Sequence, residues 1–139
     1  MWRRSFQRAM GLEEQDDFGE LTAQLDFLST IDPATIHVAM HPESTTVLGF
    51  MVLSGMQLDH LYVHVDWQGF GLGTTLLNLA KRKSPGGLEL FTFQRNEAAQ
   101  DFYRSRGFRE VQRGFASFDD NPWATAREQL ADIKFRWEP

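Results

Sequence analysis

Three glycines at alternate positions interrupt the chain between two segments of different periodicity: Gly69, Gly71 and Gly73. Before them, residues 57–65 are rich in branched and aromatic side chains, which predicts a strand. After them, apolar residues recur at helical spacing over residues 71–83, as Leu72, Leu76, Leu79 and Ala80. A glycine bend between a strand and a helix brings the backbone close to a ligand, because no Cβ stands in the way. The feature therefore constrains both the fold class and the kind of site.

The helix that follows this bend offers a binding place for an anion. Its first N–H groups have no intrahelical partner and point back into the bend. The helix dipole contributes only about 0.3–1 kcal/mol at an exposed site, so several N–H hydrogen bonds must supply most of the affinity. Residues 69–76 match neither the Rossmann spacing G-x-G-x-x-G nor the Walker A pattern. The glycine spacing alone thus leaves a ligand site and a simple strand-to-helix turn equally open.

The remaining segments predict a mixed α/β fold. Residues 1–32 have helical periodicity, and residues 96–106 predict a second amphipathic helix with Asn96 as its N-cap and Gly107 just beyond it. A short helical turn is expected near 124–127. Further strands are predicted over residues 35–40, 46–53, 88–93, 108–118 and 133–137. This order predicts a mixed sheet with helices on its faces, and 139 residues without repeats or linkers predict a single domain, 1–139.

Composition excludes several classes of function. The chain has no cysteine, so disulfides, thiolate zinc sites and cysteine nucleophiles are absent, which is compatible with a cytoplasmic location. A net charge of −5 argues against a nucleic-acid partner. The longest apolar stretch has seven residues, 47–53, which argues against a membrane span. His60 and His64 would lie ~13 Å apart along a strand, too far for one ion, so no metal is expected.

A second motif, in residues 96–108, follows the glycine bend along the chain. The chain resembles the GNAT superfamily of N-acetyltransferases, whose phosphate loop Q/R-x-x-G-x-G/A corresponds to residues 68–73, with 61–66 as its preceding strand. The family's downstream pattern N-x-x-A-x-x-x-Y-x-x-x-G-F is matched by Asn96, Ala99, Tyr103, Gly107 and Phe108. The resemblance covers roughly residues 47–108. It implies a sheet that splays between the fourth and fifth family strands, while the first family strand is missing.

The resemblance also implies a co-substrate, acetyl-CoA. Its pyrophosphate would lie on a loop formed by Gln68, Gly69, Phe70, Gly71, Leu72, Gly73 and Thr74. Its pantetheine arm would lie in the cleft between the splayed strands. There it would pair with the backbone of Leu61, Tyr62 and Val63, where an N–H could polarise the thioester carbonyl. By the same analogy Asn96 would contact the arm.

The expected reaction is attack of an amine on the thioester, and two side chains are candidates for proton transfer. The resemblance puts the Tyr103 hydroxyl near the sulfur, where it would protonate the leaving thiolate; spacing alone makes Tyr103 a core aromatic. The base is less defined. Because side chains alternate along a strand, Gln57 and Asp59 are predicted on the same face as Leu61 and Val63. Asp59 is therefore a candidate base. An aspartate that only contacts solvent at the end of a strand is an equally good explanation of this residue. Weaker candidates are Glu89 and His60.

The sequence leaves the acceptor and the assembly open. The aromatic and acidic segment that contains Phe118, Asp119, Asp120 and Trp123 is expected to rim the acceptor site. The missing first strand would expose a sheet edge, which favours a homodimer. The favoured function is transfer of an acetyl group to a primary amine of a small molecule or a peptide. The alternatives are a non-catalytic acyl-CoA-binding module and an interaction domain whose glycine bend is only a turn.

Overall fold

The computed structural model describes residues 30–139, so the predictions of helices in residues 1–29 and of a missing first strand lie outside the described residues. Helix α1 (Leu72–Lys83) and helix α2 (Glu97–Arg104) confirm the two predicted amphipathic helices. Six strands complete the fold: β1 (Ile36–Met40), β2 (Val47–Ser54), β3 (Gln57–Val63), β4 (Leu88–Phe93), β5 (Arg109–Phe115) and β6 (Ala131–Trp137). Neither helix is long and apolar enough to cross a bilayer, and no other helix in this range is.

The strands form one mixed sheet in the order β1-β2-β3-β4-β6-β5. Every neighbouring pair is antiparallel except β3 and β4, which are parallel. These two strands meet at a single register pair, Gln57 with Glu89, where the Glu89 N–H donates to the Met56 carbonyl at 2.8 Å. Beyond this pair the ladder stops. The predicted fold class, a mostly antiparallel sheet that splays at this point, is confirmed.

The core lies between the sheet and the two helices. Its side chains come from α1, α2 and four central or neighbouring strands, and those with no exposed surface include Met51, Leu77, Leu88 and Phe135. Tyr103 of α2 belongs to the same cluster, with 8% of its surface exposed. Both helices therefore pack on the same face of the sheet.

Three predicted boundaries are wrong, each for a local reason. Strand β3 ends at Val63 rather than 65, because the His64 ring accepts a hydrogen bond from the Asp66 N–H at 3.1 Å and caps a 3-10 helix, Val65–Trp67. Strand β5 ends at Phe115, before a turn in which Ser117 donates to Asp120 at 2.7 Å. The short helical turn expected near 124–127 is a 3-10 helix at Arg127–Leu130, which leads directly into β6.

Strand β3 also contains a β-bulge that the sequence analysis missed. Val52 pairs with His60 and Leu53 pairs with Leu58, so Asp59 is an extra residue on β3. As a result Leu58 and Leu61 both pack into the core, although they are three residues apart. The prediction that Gln57 and Asp59 share the face of Leu61 and Val63 is therefore wrong, because period-two alternation fails across a bulge.

Candidate active site

The bend at the start of α1 is held by two glycines in the left-handed region. Gly69 has φ +85° and Gly71 has φ +84°, and a Cβ at either position would meet nothing within 4 Å. Gly71 is the N-cap of α1, and no side chain caps the helix. The N–H groups of the first turn, at Leu72 and the residues after it, therefore lack a side-chain acceptor. This is the arrangement that suits an anion.

The third glycine of the bend has a different purpose. A Cβ on Gly73 would stand 3.4 Å from the Phe102 ring of α2 and 3.9 Å from a Val63 methyl group. Gly73 therefore allows α1 to pack closely against α2 and the end of β3. Of the three alternating glycines, two shape the backbone of the bend and one serves packing.

The other side chains of the predicted phosphate loop differ in their roles. The Gln68 amide donates from Nε2 to the Val63 carbonyl at 3.1 Å and so ties the bend to the end of β3. Phe70 lies at the tip with 72% of its surface exposed, and its ring centroid is 5.8 Å from that of Trp67. Within this loop, Gln68 thus fixes the backbone, and Phe70 offers an exposed apolar surface.

Arg106, which lies just after α2, reaches the same bend. Its guanidinium donates to the Thr74 hydroxyl from Nε at 3.1 Å and from Nη2 at 2.8 Å, and it lies 3.8 Å above the Phe102 ring. Its other hydrogen bonds go to the Phe102 carbonyl and the Ser105 hydroxyl. These partners are neutral, the first turn of α1 has no acidic residue, and within residues 30–139 Arg106 forms no ion pair.

The sequence shows Arg106 at the end of a helix but does not predict its contact with Thr74. An arginine one residue before the glycine that ends α2 is typical of any helix C-terminus, where a cation is favourable. Its contact with Thr74 crosses 32 positions of the chain. Only the packing of α2 against α1, which Gly73 allows, brings the two residues together.

The N-terminus of α2 confirms one local prediction. The Asn96 side chain accepts a hydrogen bond from the Ala99 N–H at 3.1 Å and is the N-cap of the helix. At the other end, Gly107 has φ +89°, as expected of the residue that follows a helix. Asn96 thus lies at the open end of the splay, just after β4.

Tyr103 projects from α2 into the core. Its ring packs against Phe102, Phe108 and Phe135, with centroid distances of 5.1, 5.4 and 6.4 Å. Burial, with a smaller contribution from the nearby Tyr62 phenol, raises the pKa of Tyr103 well above its usual value. The buried phenol is therefore a weaker acid than an exposed tyrosine.

Two of the candidate bases, Asp59 and His60, lie at the bulge of β3. Asp59 is exposed, and the next residue, His60, stacks on Tyr62 with a centroid distance of 6.0 Å. Burial lowers the pKa of His60 below 6.5, an effect that the neighbouring Asp59 partly opposes. Leu61, Tyr62 and Val63 follow on β3, past its pairing with β4. Glu89, a weaker candidate, is held by Lys134 at 3.0 Å and by Arg136, so both of its oxygens are engaged.

No group of three His, Asp or Glu side chains that could hold a metal ion exists in residues 30–139.

Comparison with known proteins identifies the family. A family model for the GNAT acetyltransferase domain matches residues 32–110. The chain belongs to the GNAT family of acetyltransferases, which is a class of acyltransferases. The structural features that this family implies, a glycine bend before α1 and a splay between two parallel strands, are both present.

Two curated relatives are peptidyl-lysine N-acetyltransferases named YjaB. The protein from Escherichia coli (strain K12) is 36% identical over 94 residues, which cover 66% of this chain and 60% of the relative. The protein from Salmonella typhimurium is 32% identical over 124 residues, or 86% of this chain and 79% of the relative. The chain thus spans less than two thirds of the length of the E. coli relative.

Solved structures agree with the fold. The solution structure of apo YjaB from E. coli has a TM-score of 0.64 at 26% identity, over 84% of this chain and 74% of that one. A Bacillus anthracis structure, described as a streptothricin acetyltransferase in complex with acetyl coenzyme A, has a TM-score of 0.62 at 21% identity, over 75% of this chain and 61% of that one.

Proposed function

We propose that this protein is an N-acetyltransferase that moves an acetyl group from acetyl-CoA to a primary amine, with lysine side chains of peptides as the favoured acceptors. The proposal rests on one observation: β3 and β4 separate after a single register pair, beside the uncapped N-terminus of α1, and Tyr103 lies near Tyr62 of β3. A cleft of this kind can hold an extended thioester arm with its diphosphate on the bend. The acetyl coenzyme A in the B. anthracis relative supports the donor.

Residues of the bend and of the cleft would hold the donor. The amides of residues 69–74 would bind the pyrophosphate, and Gln68 would keep the bend on β3. The backbone of Leu61, Tyr62 and Val63 would pair with the pantetheine arm, and an N–H there would polarise the carbonyl. The Asn96 side chain would contact the arm from the start of α2. The co-substrate supplies an acyl carbon that an amine can attack while a C–S bond breaks and a C–N bond forms.

Two protons must move during this exchange. Tyr103 would donate its proton to the departing sulfur, since a leaving thiolate gains from a proton donor as the C–S bond breaks. Asp59, directly or through water, would accept the proton that the amine loses, and His60 beside it is the alternative acceptor, because its lowered pKa keeps the ring neutral. A base is needed because a lysine amine of pKa ~10.4 is neutral in only about one molecule in ~10³ at pH 7.

The printed names of the YjaB relatives support peptidyl lysine as the acceptor class. A non-catalytic acyl-CoA-binding module is the second candidate. The burial of Tyr103 favours it, since burial raises the pKa of the phenol and so makes it a weaker proton donor.

Two measurements test the proposal in sequence. Acetyl-CoA at 100 times its Kd should stabilise the fold by about 2.7 kcal/mol, visible as a rise in Tm. Thiol release should then depend on a lysine-containing peptide and stop when norleucine replaces the lysine. A Tm shift without turnover on any lysine peptide or small amine would leave only the binding module. No shift at millimolar acetyl-CoA would contradict both functions.

Three further features belong to this proposal. Within residues 30–139 one hydrophobic cluster joins both helices to the sheet, which supports the proposal of one domain, 1–139. Within the described residues β1 is a sheet edge and exposes Val38 and Met40 to 50% and 47%, which supports a homodimer through this edge. A cytoplasmic location fits the absence of cysteine. Light scattering at micromolar concentration should give twice the 16.0 kDa chain mass, and a monomer would contradict the dimer.

A further inference from the structure

We propose that Asp132 binds the ammonium group of the acceptor in a small cavity at the ends of β4 and β6. The cavity is lined by Phe91, Thr92, Phe93, Ala116 and Asp132. It would hold a lysine-like acceptor before the amine loses its proton. The inference rests on the proposed function and adds the residue that selects a cationic acceptor.

The position of Asp132 is built by two neighbouring strands. On β6 it is in register with Phe93 of β4 and with Gly114 of β5. A Cβ on Gly114 would lie 3.5 Å from Oδ1 of Asp132, so the glycine leaves room for the carboxylate beside the strand. The carboxylate is therefore fixed between strands rather than carried on a mobile loop.

The cationic side chains on the same face of β6 pair with another carboxylate, not with Asp132. Lys134 and Arg136 occupy the next two positions of that face, and both are engaged by Glu89. Within residues 30–139, Asp132 has no ion pair with a cationic side chain. Burial raises its pKa, an effect that the Gly114 N–H partly opposes by hydrogen bonding. Lys134 borders the cavity, because its ammonium lies 5.7 Å from the centroid of the Phe91 ring. A half-buried carboxylate that forms no ion pair within residues 30–139 can still accept a positively charged ligand.

The other walls fit an alkyl chain that ends in an ammonium group. Phe91 is 54% exposed, and the edge-on contact of Phe93 with Trp123, at 5.4 Å between centroids, adds an aromatic rim. Trp123 belongs to the segment that the sequence analysis expected at the acceptor side. The cavity has a volume of about 70 Å³, so it can take the ammonium end of one side chain but not a nucleotide.

Alternation along β4 places the hydroxyl of Thr92 on the other face of the sheet. Thr92 is in register with Ile133 and shares the core face with Leu88 and Leu90, whereas Phe91 and Phe93 share the face of Asp132. The site is therefore made of phenylalanine walls and one carboxylate. These suit a primary alkyl ammonium, which is the chemistry of a lysine side chain.

The test compares Asp132→Asn with Asp101→Asn, which removes the same charge from the exposed surface of α2. Asparagine keeps an oxygen for the Gly114 N–H, so the fold and the Kd of acetyl-CoA should be unchanged. The KM for a lysine peptide should rise about tenfold or more in Asp132→Asn, the loss expected for one charge-assisted hydrogen bond, and stay constant in Asp101→Asn. Equal KM values in the two variants would overturn the inference while the wild-type turnover upholds the proposed function.

A measurement on the wild-type protein covers the case in which Asp132→Asn does not fold. Two peptides that cannot be acetylated compete with the lysine peptide: one carries dimethyl-lysine, which is cationic, and one carries norleucine, which is neutral. The dimethyl-lysine peptide should bind at least about tenfold more tightly. Equal affinities would overturn the role of Asp132. Absence of turnover on any amine would instead contradict the proposed function, and the two peptides would still report on the cavity by direct binding.

Discussion

The proposed donor side and the proposed acceptor side of the protein are built from different materials. The donor side, residues 68–74 with Arg106, consists mainly of backbone amides shaped by glycine. The acceptor side, the cavity around Asp132, consists of side chains from β4, β6 and the residue that follows β5. A diphosphate is common to every CoA thioester, so backbone can bind it without regard to the acyl group. An acceptor must be told apart from other amines, and this requires side chains whose charge and shape can vary.

The largest expected effect concerns Tyr103, the proposed proton donor. Tyr103→Phe should lower kcat by about 10²-fold or more, because proton donation by a general acid contributes ~10²–10⁴-fold. Ring packing on Phe102, Phe108 and Phe135 is kept, so Tm should change little. Steady-state kinetics provide the measurement, with Tyr62→Phe, the change of the other tyrosine, as the control. Equal kcat in both variants would remove Tyr103 from the mechanism.

A change in the bend should separate the two sides. Gly71→Ala forces a side chain into φ +84°, at a cost of about 1–2 kcal/mol in stability, and turns the first amides of α1 away from the ligand. The Kd of acetyl-CoA should rise about tenfold, while binding of the dimethyl-lysine peptide stays the same. Gly86→Ala, in open space and without a positive φ, is the control. If both ligands lose affinity together, the two sides are not independent.

A smaller effect is expected at the edge of the donor side. Arg106→Gln removes the charge beside Thr74, and the Kd of acetyl-CoA should rise about fivefold, the typical value of an exposed to half-buried charged contact. The control is Arg109→Gln, which loses only an exposed pair with Glu138. Calorimetric titration measures both. An unchanged Kd in Arg106→Gln would mean that the guanidinium only braces α1 against α2.

The smallest effect concerns the bulge and depends on pH. Burial holds the pKa of His60 below 6.5, so between that value and the lower folded pKa the unfolded chain binds more protons than the folded chain. Stability should therefore fall as the pH falls through this interval. His60→Gln should show a shallower fall between pH 7 and pH 5 in urea unfolding. Identical slopes would mean that His60 is accessible to water.

The same contrast explains which parts of the molecule were predictable. Gly71, Asn96 and Gly107 follow rules for helix ends that involve a few neighbouring residues, so their conformations could be read from the sequence. The bulge at Asp59 depends on how β3 pairs with β2, and no local pattern marks it. The contact between Arg106 and Thr74 and the position of Asp132 beside Gly114 join residues that are distant in sequence. The donor side was thus largely predictable, whereas the acceptor side depends on tertiary packing.

An amide-resolved NMR titration with acetyl-CoA tests the central claim most directly. If the first turn of α1 binds the diphosphate, the amide signals of Leu72, Gly73 and Thr74 should shift most. The Kd obtained from these shifts should equal the Kd for acetyl-CoA measured on the whole protein. Signals of residues 69–74 that stay in place at saturating acetyl-CoA would contradict the account.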